Sequence, residues 1–206
     1  RGHRTQSSRA TTQELAKTPH LFGEIRHSDG QALAVPCHSA EDRPYLPFAL
    51  IDGDTIVDNS AIRLPDHKMF EIALYASRLH LVWIATVCGQ LETRYRYSNT
   101  LGWNTFPVPT LTDKNKADLT RCAEDILLAR EHHFPATIDD LYDPESMPAD
   151  LRAAHDRNDE VLERIYIGRR FKNDTERLEK LFDLYTKMTA SAAPAKGKKR
   201  KAGANA

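Results

Sequence analysis

Two prolines around a single valine, Pro107-Val108-Pro109, divide this chain into two kinds of periodicity. Proline donates no backbone hydrogen bond, so a strand cannot run on through a sheet interior at this point. Before it, the signals are of short strands and tight turns around one apolar helix. After it, every apolar pattern has helical spacing. The expected fold is therefore α+β: a mainly antiparallel sheet domain with a long packed helix, followed by a small α-helical subdomain. The boundary falls near residue 110.

Residues 1–18 are polar and poor in large apolar groups, and read as a linker or arm with a short helix around Thr12–Lys17. Its arginines, Arg1, Arg4 and Arg9, could touch phosphate. From Pro19 to Pro65 the composition is that of β structure. Leu21–Arg26 and Ala32–Val35 flank the turn Ser28-Asp29-Gly30, and Tyr45–Ile51 and Thr55–Val57 flank Asp52-Gly53-Asp54. Ser60–Leu64 reads as a further short strand. His67 to Cys88 is helical, with Phe70, Leu74, Leu81, Ile84 and Val87 on a broad face. Ser77 is placed to cap a second helical segment, and Gly89 to end it.

That helix delivers the chain into Gly89–Pro109, where the first part alternates. On an extended strand Leu91, Thr93, Tyr95 and Tyr97 share one side, and Glu92, Arg94 and Arg96 the other. A row of charges at strand spacing, about 7 Å apart, has the chemistry of a base-reading edge. Arginine's fork matches guanine O6 and N7, and a carboxylate accepts from the cytosine amino group. The same alternation also describes a solvated face on which Glu92 and Arg94 neutralise each other. On the residues alone that plainer reading comes first, because alternating charge is common on exposed strands.

Beyond Pro109, Asp113–His133, Pro148–Gly168 and Asp174–Met188 form three amphipathic helices, with a short turn of helix at Ile138–Tyr142. His155 lies on an apolar face and reads as a hydrogen-bonded core residue. Residues 190–206 carry Lys196-Gly197-Lys198-Lys199-Arg200-Lys201 and are disordered by composition. Such a tail binds any polyanion through counterion release, without reading sequence.

The net charge of zero, from 29 basic and 29 acidic residues, hides an uneven distribution. Residues 111–190 carry 13 basic against 18 acidic groups, while residues 191–206 carry five basic and none acidic. Cys37, Cys88 and Cys122 are widely spaced and odd in number, which suits reduced thiols in a cytoplasmic protein. The most apolar run, Met69 to Val87, is broken by Glu71, Ser77, Arg78 and His80, so no membrane partner is implied. The chain opens on Arg1 rather than methionine and reads as a piece of a longer protein.

No glycine-rich phosphate loop, dinucleotide fingerprint or Gly-x-Ser-x-Gly elbow occurs. Cys37-His38 has half the make-up of a catalytic pair, but such pairs form in space rather than by adjacency. No catalytic, cofactor-binding or metal-ligating set emerges.

An ordered series of segments does carry a resemblance. It begins with Thr18-Pro19-His20-Leu21-Phe22-Gly23-Glu24-Ile25-Arg26 and Arg43-Pro44-Tyr45-Leu46-Pro47. Val87-Cys88-Gly89-Gln90-Leu91 then runs into Tyr95-Arg96-Tyr97-Ser98-Asn99 and Trp103-Asn104-Thr105-Phe106-Pro107. Leu141-Tyr142-Asp143-Pro144, Met147-Pro148, Leu151-Arg152-Ala153-Ala154-His155 and Leu181-Phe182-Asp183-Leu184-Tyr185 complete it. Over roughly residues 17–188 the series resembles the C-terminal part of MmeI-like enzymes, the type IIL single-chain restriction–modification adenine-N6 DNA methyltransferases.

The resemblance implies a DNA target recognition domain over residues 19–110 and a C-terminal helical subdomain over 111–189. The partners it implies are double-stranded DNA and the methyltransferase core of the same parent polypeptide. That core, with its S-adenosylmethionine site and Asn-Pro-Pro-Tyr motif, would precede this region. Neither a glycine-rich cofactor motif nor Asn-Pro-Pro-Tyr is present here, so no cofactor is expected in this chain. Base-reading positions would be Glu92, Arg94 and Arg96, with one more near Ser60. Tyr97, Ser98, Asn99 and Asn104 could contact phosphate or an adjacent base, whereas Trp103 and Phe106 read as packing. The alternative is a helical protein-interaction module whose basic tail supplies nonspecific nucleic-acid affinity.

Overall fold

The computed structural model describes residues 2–21 and 29–192. The expected strand Leu21–Arg26, beyond Leu21, and the expected tail 190–206, beyond residue 192, lie outside the described residues; residues 190–192 continue the last helix instead of starting a disordered tail. The N-terminal arm holds two short helices, α1 (Gly2–Thr5) and α2 (Ala10–Glu14), fastened by Arg4 Nη1 donating to the Leu15 carbonyl at 3.1 Å.

Among the described residues six short strands follow: β1 (Ala32–Pro36), β2 (His38–Ser39), β3 (Ala49–Ile51), β4 (Ala61–Pro65), β5 (Gln90–Leu91) and β6 (Arg94–Arg96). They form two antiparallel three-stranded sheets, ordered β3-β1-β4 and β2-β6-β5. Thr55–Val57 is not the strand that its composition suggested. Asp52 Oδ1 accepts from the Asp54 amide and the Thr55 hydroxyl, so a side-chain turn takes the bonds a ladder would have used, and Ile56 is left exposed.

The helix expected over His67–Cys88 is two helices, α3 (Met69–Tyr75) and α4 (Arg78–Val87), bent by 58°. Ser77 makes the break, accepting from the His80 amide and donating to the Leu74 carbonyl. After β6 comes a π-helical turn (Asn99–Trp103), which no sequence periodicity announced. Then come α5 (Asp113–Glu131), α6 (Ile138–Leu141), α7 (Ala149–Ile167) and α8 (Asp174–Ala192). Thr112 caps α5 through a reciprocal pair with Asn115, and left-handed Gly168 closes α7.

The two halves share one core. Leu33, Val35 and Phe48 of the sheet part, Tyr75, Leu79 and Ile84 of α3 and α4, and Leu119, Ile126, Leu151, Leu162 and Leu181 of the later helices belong to a single buried cluster. α3 packs along α5, α5 along α7, and α4 against α8. Trp83 of α4 lies against the rings of Phe182 and Tyr185.

A polar stripe on α7 holds the break between α3 and α4. Asn158 Nδ2 donates to the Ala73 carbonyl at 2.8 Å, and His155 Nδ1 meets the Ala76 carbonyl at 3.1 Å. Asp159 accepts from the Arg78 amide at 2.7 Å and from the Tyr45 hydroxyl at 3.0 Å. These bonds satisfy backbone groups that the interrupted helices leave open. Burial pushes the Asp159 carboxyl up to about 7 and the His155 imidazole down to about 3, so His155 is the neutral core residue expected of it.

Candidate nucleic-acid interface

The alternating stretch after Gly89 folds back on itself. β5 and β6 are the arms of a hairpin, with Gln90 opposite Tyr95 and Leu91 opposite Arg94. The turn is Glu92-Thr93, and Glu92 occupies the left-handed region with φ of 58°. This corrects the single strand expected from the alternation. Glu92 is not the first of three charges in a row but sits at the tip, where its carboxylate accepts from Arg94 Nη2 at 2.7 Å.

The turn also reassigns the faces. Directly opposed residues of an antiparallel pair share a face. Leu91 therefore lies with Arg94 and Arg96, while Tyr95 lies with Gln90 on the other side. Arg94 and Arg96 remain two apart on β6, and both are exposed. Among the described residues the Arg96 side chain makes no hydrogen bond or ion pair, so its fork is open to an outside acceptor.

Cys37 laces the two sheets together. Its amide donates to the Ser60 carbonyl at 2.8 Å, and its carbonyl accepts from the Tyr97 amide at 2.8 Å. Ser60, 32 residues before Glu92 in sequence, is thereby brought to the side of the hairpin. Burial pushes the Cys37 thiol up, against the opposing pull of Arg96. Ser60 is exposed, but its hydroxyl and amide both donate to Asp58, so the hydroxyl is left to act as an acceptor. A cleft of about 360 Å³ opens beside it, lined by Pro36, His38, Ser60 and Ala61, with the Arg43–Asp139 ion pair also on its wall.

The remaining expected contacts divide. Tyr97 is 5% exposed and its ring packs edge-on against Tyr75 and His80, so it cannot reach DNA. Its place in the chain explains the correction: the residue after Arg96 on a strand points to the opposite face, which here is the core. Ser98 Oγ accepts from the Leu101 amide and starts the π-helical turn. Asn99 is half-buried, and Asn104 closes the turn on the exposed side. The turn is seated tightly, because a Cβ on Gly102 would stand 3.2 Å from Ile84 and 3.3 Å from Tyr97. Phe106 is buried and Trp103 partly so, both against His80, as packing residues should be.

The charged β5–β6 hairpin stands on a helical frame that locks its base. Sequence comparison identifies the family. The MmeI target recognition domain matches residues 1–110 and the MmeI C-terminal domain matches residues 111–193, so the chain belongs to the MmeI family. It is 37% identical over 189 residues to DNA methyltransferase A of Bacillus subtilis (strain 168), covering 92% of this chain and 21% of that protein. A solved structure of the type IIL restriction-modification enzyme MmeI in complex with DNA superposes with a TM-score of 0.86 at 33% identity, over 92% of this chain and 25% of that one. The chain thus spans about a fifth to a quarter of these relatives.

Proposed function

We propose that this chain is the DNA target recognition region of a type II restriction–modification adenine-N6 DNA methyltransferase. Arg94 and Arg96 read bases in the major groove, and Glu92 orients Arg94 or accepts from cytosine. The observation that carries this reading is the exposed β5–β6 hairpin, with two arginines on one face and its root fixed by α4, Cys37 and the π-helical turn. Readout needs donors held in place before DNA arrives, and a short hairpin anchored on packed helices supplies that. Ser60 lends an acceptor at the flank, and Asn99 and Asn104 serve backbone contacts. S-adenosylmethionine is held by the methyltransferase core of the parent polypeptide, which works on DNA in the cytoplasm. No single helix among the described residues is long and apolar enough to cross a membrane.

The test is selection from a randomised duplex pool by the full chain, a version ending at residue 192, and Arg94→Ala/Arg96→Ala. The expected result is a short enriched motif from the first two, lost or relaxed in the third. Binding that vanishes with the tail and never depends on the arginines would instead leave the helical interaction module with a nonspecific basic end.

A further inference from the structure

The face that carries Arg94 and Arg96 holds a third polar group, contributed by a different strand. In the β2–β6 register His38 is directly opposite Arg96, and Ser39 opposite Tyr95. Opposed residues of an antiparallel pair point to one face, with Cα atoms about 4.5–5.5 Å apart. β2 is exposed at His38 and buried at Ser39, so the imidazole faces out beside Arg96. Like Arg96, the His38 side chain makes no hydrogen bond or ion pair among the described residues.

Position matters as much as chemistry. His38 follows Cys37, whose backbone joins Ser60 on one side to Tyr97 on the other. It also lines the cleft that Ser60 lines. His38 therefore lies on the strand between Ser60 and the hairpin.

We propose that His38 is a further specificity-determining residue of this interface, donating to a purine acceptor in the base pair next to the one that Arg96 reads. The inference rests on the hairpin being the DNA-reading edge. Base pairs stack about 3.4 Å apart along each strand. Two side chains set about 5 Å apart across a sheet therefore suit neighbouring base pairs better than one. An imidazole ring offers at least one N–H donor, and guanine N7 and O6 are both acceptors.

The experiment runs the full chain, His38→Ala, His38→Gln and Arg94→Ala against the same randomised duplex pool at fixed salt, with melting curves confirming that each variant is folded. His38→Ala should flatten the preference at one base pair by about 5- to 100-fold and leave the pair lost in Arg94→Ala intact. His38→Gln should move the same position towards adenine, since an amide pairs with adenine N6 and N7. Two results overturn the proposal. One is an unchanged motif in His38→Ala. The other is an equal loss of affinity over all sequences with a shallower salt dependence, which marks a phosphate contact. A wild-type chain that enriches no motif fails the recognition assignment itself, and His38 falls with it. The wild-type arm keeps those two failures apart.

Discussion

His80 and His155 are fully buried, and burial holds both imidazoles neutral, at about 4 and about 3. In the unfolded chain each titrates near 6.5. Below that value the unfolded state binds protons that the folded state refuses, so stability falls as pH drops from about 6.5 and levels off only near the folded values. Down to those folded values His80 accounts for a loss on the order of 3 kcal/mol and His155 for one on the order of 5 kcal/mol. Asp159 has the opposite sign. Its carboxyl is raised to about 7, so its share of stability is greatest when it is protonated and declines as pH rises from the unfolded value towards 7. Two histidines outweigh one carboxylate, and the chain should lose melting temperature between pH 6.5 and 4. His155→Gln, whose amide can still meet the Ala76 carbonyl, should make that acid limb shallower. A limb of equal steepness in the variant would mean that His155 is not the group being titrated.

At the scale of the element, the hairpin shows where sequence periodicity stops being informative. Alternation survives a two-residue turn, because each arm keeps period two. Glu92 also gives no sign of the left-handed backbone it adopts, being neither glycine nor asparagine. The charges were legible and their geometry was not: Leu91 and Arg94 fall on opposite faces of a continuous strand but on the same face of the hairpin. Tyr97 was misread because its neighbours are exposed and only the core behind the strand decides its direction. The pairing of His38 with Arg96 was not legible because the two lie 58 residues apart in the chain. The left-handed turn yields a clean test. Glu92→Asn and Glu92→Ala both remove the exposed ion pair with Arg94, but asparagine tolerates the left-handed region and alanine does not. Glu92→Asn should be the more stable of the two by roughly 0.5–1 kcal/mol in denaturant melts. Equal stability would show that the turn changes conformation when the ion pair is gone.

For the whole molecule, the three long helices were legible because each keeps a 3.6-residue apolar pattern, yet amphipathicity names a face and not what covers it. What α5, α7 and α8 cover is largely the part of the chain before Pro107. α5 packs beside α3, α7 beside α5 and α4, Phe182 and Tyr185 cover Trp83, and Tyr166 donates to the Pro107 carbonyl at 2.8 Å. The backbone partners of the polar stripe of His155, Asn158 and Asp159 were not legible, since backbone groups carry no sequence signature. Removing residues 111–206 would leave the Ala73 and Ala76 carbonyls and the Arg78 amide without partners. Each such group costs about 1–3 kcal/mol if it stays buried, and the exposed faces of α3 and α4 add to that. Whole domains are stable by only about 5–15 kcal/mol. Residues 1–110 alone should therefore fail to fold cooperatively, whereas the full chain should melt in one transition with equal calorimetric and van't Hoff enthalpies. Proton NMR of the two decides it. Collapsed, undispersed amides in the shorter chain are the expected result, and a dispersed spectrum that keeps the full chain's DNA motif would show that the recognition part stands without its helices.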